Sequence, residues 1–223
     1  VGGGTSVQEG LEMGLWDKIK STDIITCNNA ILHIPYAPKY ATWLDSTDKD
    51  PTVIKKILET PCIRVTQQHH EECDDSKVIR FNIHHKPELF YNGIEQGALF
   101  VGKRMFTGVF ALSLAIYIGY KRIFLLGFDW SGKGEWWGYG TNPSVFLKDV
   151  KKKKVQDDVG EHHDVFKGKA EIWNVSPNSN IPSFPKITYG KFFTMLQGDD
   201  YGDKKKAGRD LRSALQPDLC AVR

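Results

Sequence analysis

Three glycines followed by two hydroxyl residues, Gly2-Gly3-Gly4-Thr5-Ser6, stand near the start of this 223-residue chain. Glycines let backbone N–H groups approach a phosphate, and a helix beginning just beyond them adds partial positive charge. That helix is expected over the apolar positions Leu11, Met13, Leu15, Trp16 and Ile19. A flexible chain end would have the same composition, and Val1 alone stands where a preceding strand belongs. Further polar groups follow short apolar runs: Asn28 and Asn29 after Asp23 to Cys27, Asp45 after Tyr40 to Leu44, and Asp129 after Ile123 to Phe128. In an open parallel sheet, the carboxyl ends of the strands face the ligand crevice. Asp129 reads either as a site residue there or as a cap or turn aspartate.

Two clusters invite a metal reading. His69-His70-Glu71-Glu72-Cys73, with His84-His85 further on, has the right residue types. Adjacent side chains point apart, however, and do not by themselves converge on one ion. Asp48-Lys49-Asp50 has the Asp-x-Asp form of many nucleotide-sugar enzymes, but it lies past a strand end and before Pro51, where a solvated turn is expected. No metal is assigned. Trp136, Trp137 and Tyr139 form an aromatic group that reads as a lid stacking on a sugar or base, or as a loop anchored by tryptophan burial.

The elements that would position these groups follow a βα rhythm. The clearest unit runs from Thr107-Gly108 through an apolar helix, Val109 to Ile118, stopped by Gly119, into the apolar strand Ile123 to Phe128. An all-apolar helix beside an all-apolar strand suits a sheet covered on both faces. Short strands are expected at Asp23 to Cys27, Tyr40 to Asp45, Cys62 to Thr66 and Ala170 to Val175, with a helix from Thr52 to Leu58 after Pro51. The fold class is thus α/β: a single Rossmann-like domain over residues 1–198, with a mostly parallel sheet, helices on both faces and a lid-like insertion at about 130–168. Residues 199–223 read as a polar tail, mobile or vector-derived. The crevice is expected after Thr26, Leu44, Leu126 and Val175.

In their order, Gly-Gly-Gly-Thr-Ser, Thr107-Gly108 with the Ile-Phe-Leu-Leu-Gly-Phe-Asp strand, and the late Ser-Pro-Asn-Ser resemble the small bacterial sialyltransferases. They also resemble the related family of motility accessory factors and archaeal hydroxymethylpterin pyrophosphokinase. The resemblance implies nucleotide contacts from Gly2, Gly3, Gly4, Thr5 and Ser6, with Asn28 or Asn29. It implies phosphate and ribose neighbours at Thr107, Gly108, Gly127, Phe128 and Asp129, and base contacts from Pro177, Asn178 and Ser179. Its chemistry is in-line displacement at an anomeric carbon, with a histidine base and tyrosine hydroxyls on the leaving phosphate. By position the base is His163 or His162 and the hydroxyl is Tyr139, although the histidines also read as an exposed loop pair. His163 stands closer to Pro-Asn-Ser than in that family, and a second phosphate-facing tyrosine is not evident.

Composition narrows the classes. Apolar and charged fractions of 40% and 26% are ordinary for a globular domain, and no apolar run reaches the roughly 18 to 20 residues needed to cross a bilayer. The net charge of +3 is small, and the runs Lys151 to Lys154 and Lys204 to Lys206 read as solvated segments. Cys27, Cys62, Cys73 and Cys220 lack Cys-x-x-Cys spacing, and no signal-peptide pattern opens the chain, so reduced thiols and a cytoplasmic location are expected. Val1, in place of methionine, reads as a trimming boundary.

Three functions compete. The first is a glycosyltransferase using a nucleotide-sugar donor without an obligatory metal, on an unidentified acceptor that could be a glycan or modified nucleic acid. The second is a Mg²⁺-dependent pyrophosphokinase-like phosphoryl transferase. The third is a nucleotide-binding module without catalysis.

Overall fold

The computed structural model describes residues 1–44, 51–67, 78–84, 98–100, 106–129 and 164–198. Strands β1 (Ile25–Cys27), β2 (Tyr40–Thr42), β3 (Ile63–Gln67), β4 (Val78–His84) and β5 (Ala98–Phe100) pair in that order. Strand β6 (Arg122–Leu125) pairs with β7 (Glu171–Asn174), and all of these pairings are parallel. Val1 and Gly2 stand between the two sets. The Val1 amino group donates to the Ile25 carbonyl at 2.6 Å, and Cys27 N–H donates to the Val1 carbonyl at 3.1 Å. This is the parallel pattern, with Val1 opposite Thr26. On the other side Gly2 N–H donates to Leu126 C=O at 2.8 Å. The chain is therefore an α/β protein with a parallel sheet.

Alternate strand residues feed opposite faces, as the pleat requires. On one face lies α4 (Thr107–Ile118), whose Val109 and Leu112 pack in a cluster with Leu125, Ile123 and Ile172. The next residues along the strands, Phe124, Leu126 and Trp173, turn to the other face. There they meet α1 (Val7–Glu12), α2 (Leu15–Ile19) and α5 (Tyr189–Gln197) through Val7, Leu15, Phe192 and Phe193. Nine of the twelve α4 residues are buried, which explains why that helix has no polar stripe. Its end is set by Gly119, at φ 98°, a conformation that costs glycine nothing.

Helix α3 (Pro51–Glu59) begins on its proline, whose missing N–H is harmless in the first turn. It ends on the buried Arg64 of β3, which donates to the carbonyls of Ile57, Leu58 and Thr60. A buried guanidinium thereby satisfies the last carbonyls of the helix.

Several expectations need correction. The first helix is two short ones, because Gly14 takes φ 74° and turns the chain between them. Strands β1, β2, β6 and β7 are shorter than the apolar runs that announced them, since those runs continue into turns at the carboxyl edge. Strands β4 and β5 and helix α5 were not anticipated. The segments holding Asp45, Asp48 to Asp50, His69 to Cys73, Trp136 to Tyr139, His162-His163 and the polar tail lie outside the described residues. Among the described residues no helix is long and apolar enough to cross a membrane.

Candidate functional site

Because the described strands all run the same way, their carboxyl ends gather on one edge, with Asn28, Gly2 to Ser6, Gly127 to Asp129 and Ser176 to Ser179 beside one another in sheet order. The centre of this edge is the end of β6. Gly127 has φ 73°, and a Cβ there would sit 2.7 Å from the Gly2 carbonyl oxygen. A Cβ on Gly4 would sit 2.6 Å from Asp129 Cγ and 2.7 Å from the Gly127 carbonyl oxygen. Glycine at these positions lets the first loop lie directly on the turn after β6, where Gly4 N–H donates to Gly127 C=O at 2.9 Å.

Asp129 is almost fully buried and holds this loop. Its carboxylate accepts from Ser6 N–H at 2.6 Å, from the Ser6 hydroxyl and from the Thr5 hydroxyl at 3.3 Å. Ser6 is the N-cap residue of α1 but makes no cap bond with its own side chain. Asp129 supplies the negative charge that a helix N-terminus favours, from 123 residues away in sequence. Of the two readings of this aspartate, the described geometry is that of the cap.

A second helix begins nearby. Gly108 of α4 packs on the Phe128 ring, where a Cβ would come within 2.8 Å of an edge carbon. The N-cap position of α4 is Phe106, in extended conformation, whose side chain makes no cap bond. Thr107 is buried in the first turn. The first turn of α4 thus meets the same edge with a phenyl ring, and no hydrogen-bond acceptor, as the side chain of its N-cap residue.

The far side of the edge is tied by Asn174, the last residue of β7. Its Nδ2 donates to Phe128 C=O at 3.1 Å and to Ser179 Oγ at 3.0 Å. Ser179 in turn donates to the same Phe128 carbonyl at 2.7 Å and accepts from Ile181 N–H at 3.1 Å. Ser179 therefore points inward and holds the turn, whereas Pro177 and Asn178 are exposed. Asn180 N–H closes the turn on Asp129 C=O at 2.8 Å. Asn174 was not anticipated, although an asparagine inside the apolar run Ile172-Trp173-Asn174-Val175 was a usable sign, because a buried amide must be bonded.

Asn28 follows β1 at φ 47°, the left-handed region that asparagine tolerates better than most residues. It opens a short 3-10 helix, Asn28–Leu32, and both Asn28 and Asn29 are partly buried. Cys27, immediately before, is a core residue, and burial pushes its thiol pKa upward, keeping it neutral. Tyr189, the first residue of α5, lies under α1 with its ring against Gly10. Burial, and then the charges of Asp129 and Glu9, hold its hydroxyl well above the ordinary tyrosine range.

The described structure thus brings Gly2 to Ser6, Asn28, Asn29, Thr107, Gly108, Gly127 to Asp129 and Pro177 to Ser179 to one edge. His162, His163 and Tyr139 lie outside the described residues. No family model, curated protein or solved structure gives a significant match to the chain.

Proposed function

We propose that this chain is a Rossmann-like domain that binds a nucleotide at the carboxyl edge of its sheet and transfers a sugar from a nucleotide-activated donor. The observation that carries the binding half is the meeting of the α4 first turn, which has a phenylalanine and no side-chain acceptor at its N-cap position, with the turns at Asn28, Gly127 to Asp129 and Pro177-Asn178. A helix N-terminus at a parallel-sheet crevice is a ready anion site. Phosphate is assigned to the α4 turn, since Asp129 already occupies the first turn of α1. Exposed Asn178, with amide donors and an acceptor, is assigned to the base.

The transfer half rests on the resemblance to the bacterial sialyltransferases. An acceptor hydroxyl oxygen attacks the anomeric carbon, the bond from that carbon to the phosphate oxygen breaks, and the nucleotide leaves with both bonding electrons. His163, or His162 beside it, takes the acceptor proton, and Tyr139 donates a hydrogen bond to the leaving phosphate. No metal is required by this scheme.

Thermal melting with CMP, UDP, GDP and ATP, each with Mg²⁺ or with chelator, tests the binding half. Stabilisation by CMP or UDP in chelator is expected. Stabilisation by ATP with Mg²⁺ alone would replace sugar transfer by phosphoryl transfer. Turnover of the stabilising nucleotide's sugar conjugate, followed as released nucleotide in chelator, tests the transfer half. His163→Ala is expected to lower it by about a hundredfold or more while the melting shift persists. A shift with no release from any donor would leave a binding module.

A further inference from the structure

Among the described residues, the sheet is not continuous between β1 and β6 below Val1. Each of these strands has its other edge paired, β1 with β2 and β6 with β7. Val1 and Gly2 bridge them only at the carboxyl end. The space below is a slot running toward Asp23 and Tyr120. Its walls are the inner edges of two parallel strands. One face is closed by Ala111, Leu112 and Ala115 of α4, and the other by Ile19, Phe192 and Leu196.

The backbone of both walls is turned into this slot. Glu171 N–H and Val175 N–H donate to Lys121 C=O and Leu125 C=O, so the odd-numbered residues of β6 face β7. Alternation turns the N–H and C=O of Arg122 and Phe124 the other way, as Leu126 C=O confirms by accepting from Gly2. On the opposite wall Ile24 C=O accepts from Tyr40 N–H of β2, whereas Ile25 C=O faces the slot and accepts from Val1. Two parallel strands that one extended segment, Val1-Gly2, already bridges at one end, with apolar closure on both faces and inward-facing backbone groups, leave what a central parallel strand fills.

We infer that the slot seats a further β-strand of apolar residues, parallel to β1 and β6 and running directly into Val1. Its register follows from the bonds of Val1 and Gly2. The residue joined to Val1 faces β6, donating to Phe124 C=O and accepting from Leu126 N–H. The residue before it faces β1 and accepts from Ile25 N–H. The next accepts from Phe124 N–H. Side chains alternate between the Ala111–Ala115 face and the Phe192–Leu196 face, and both are apolar, so every position favours an apolar residue.

The test compares two forms of the full chain, one with Ile-Val-Val-Ile joined to Val1 and one with Gly-Ser-Gly-Ser. The apolar extension is expected to raise Tm by at least about 5 °C over the polar one. Amide hydrogen exchange supplies the register. Ile25, Phe124 and Leu126 are expected to slow by more than tenfold in the apolar form, while Ile123 and Leu125, which already face β7, change far less. Equal melting together with unchanged exchange at Ile25, Phe124 and Leu126 would overturn the inference. So would a Tm gain with protection spread evenly over β6, because that pattern reports collapse onto the surface and not a strand in register.

Discussion

Two helices begin at the same edge of the sheet, and their first turns differ. The first turn of α1 meets a buried carboxylate, Asp129, which accepts from Thr5 and Ser6. The first turn of α4 has a phenylalanine at its N-cap position, whose side chain offers no acceptor. Both have the partial positive charge of a helix start. In α1 the protein itself neutralises that charge and uses it to fasten the first loop to the end of β6. The lesson concerns glycine-rich loops: glycines beside a helix start allow a close approach, and the approaching group can be the protein's own backbone and carboxylate as well as a phosphate.

Gly4→Ala should disturb this arrangement most. The new methyl would meet Asp129 Cγ at 2.6 Å and the Gly127 carbonyl oxygen at 2.7 Å, and a backbone atom in a tight turn has little freedom to move. A loss of about 3 kcal/mol is expected by denaturant unfolding. Gly190→Ala is the matching control, since its Cβ would meet only Thr188 Oγ1, at 3.9 Å, inside α5. Helix propensity there favours alanine by about 0.5–1 kcal/mol. If both substitutions cost the same, the loop does not lie on β6 as described.

Asp129→Ala should come next, at about 2 kcal/mol, because it leaves Ser6 N–H and two hydroxyls without their anionic acceptor. It also reopens the α1 first turn to an external anion. Inorganic phosphate should therefore recover part of the lost Tm in this variant and do less for the unmodified chain. No difference in phosphate response would mean that the aspartate does not stand in for an anion.

Thr107→Asp makes the same comparison from the other side by placing a carboxylate in the first turn of α4. Nucleotide affinity should fall at least about tenfold, or about 1.4 kcal/mol, from repulsion of the phosphate. Undiminished affinity, measured by titration calorimetry, would move the phosphate away from α4.

What the sequence disclosed follows from how local each signal is. Helix α4 and strand β6 were legible because an all-apolar helix ending in glycine and an apolar strand are each written in one contiguous stretch. Helix α3 was legible from Pro51. Strand β4 has a fainter signal, the period-two alternation of Ile79-Arg80-Phe81-Asn82-Ile83, with no glycine or proline next to it. Helix α5 carried a start signal in Thr188, whose side chain accepts from Lys191 N–H. The grouping of site residues at strand ends was readable, whereas their bonding was not. That Asp129 caps a helix 123 residues earlier, or that Ser179 turns inward to Phe128, depends on which strands are neighbours, and no local pattern encodes that.

Tyr189→Phe has the smallest expected effect and probes the ground beneath the α1 clamp. The Tyr189 hydroxyl is buried and has no hydrogen-bond partner among the described residues. Removing an unsatisfied buried hydroxyl while keeping the ring against Gly10 should leave stability near neutral pH unchanged or raise it by up to about 1 kcal/mol. The pH dependence separates this from a bland substitution. Burial first, then Asp129 and Glu9, raise the folded-state pKa above its ordinary value, so the fold favours the protonated phenol. The contribution is complete below the unfolded tyrosine value of about 10 and is lost as pH rises from there through the raised value. Over that window the buried Tyr189 hydroxyl removes up to about 1.4 kcal/mol per pH unit. Tyr36, pushed up to about 12 by burial and by Asp17, contributes in the same direction between those two values and remains in the variant. The phenylalanine form should therefore keep part of the alkaline loss and show a shallower slope above pH 10. An identical slope in both forms would mean that the hydroxyl reaches water, and that α1 does not close over Tyr189 as tightly as its contact with Gly10 requires.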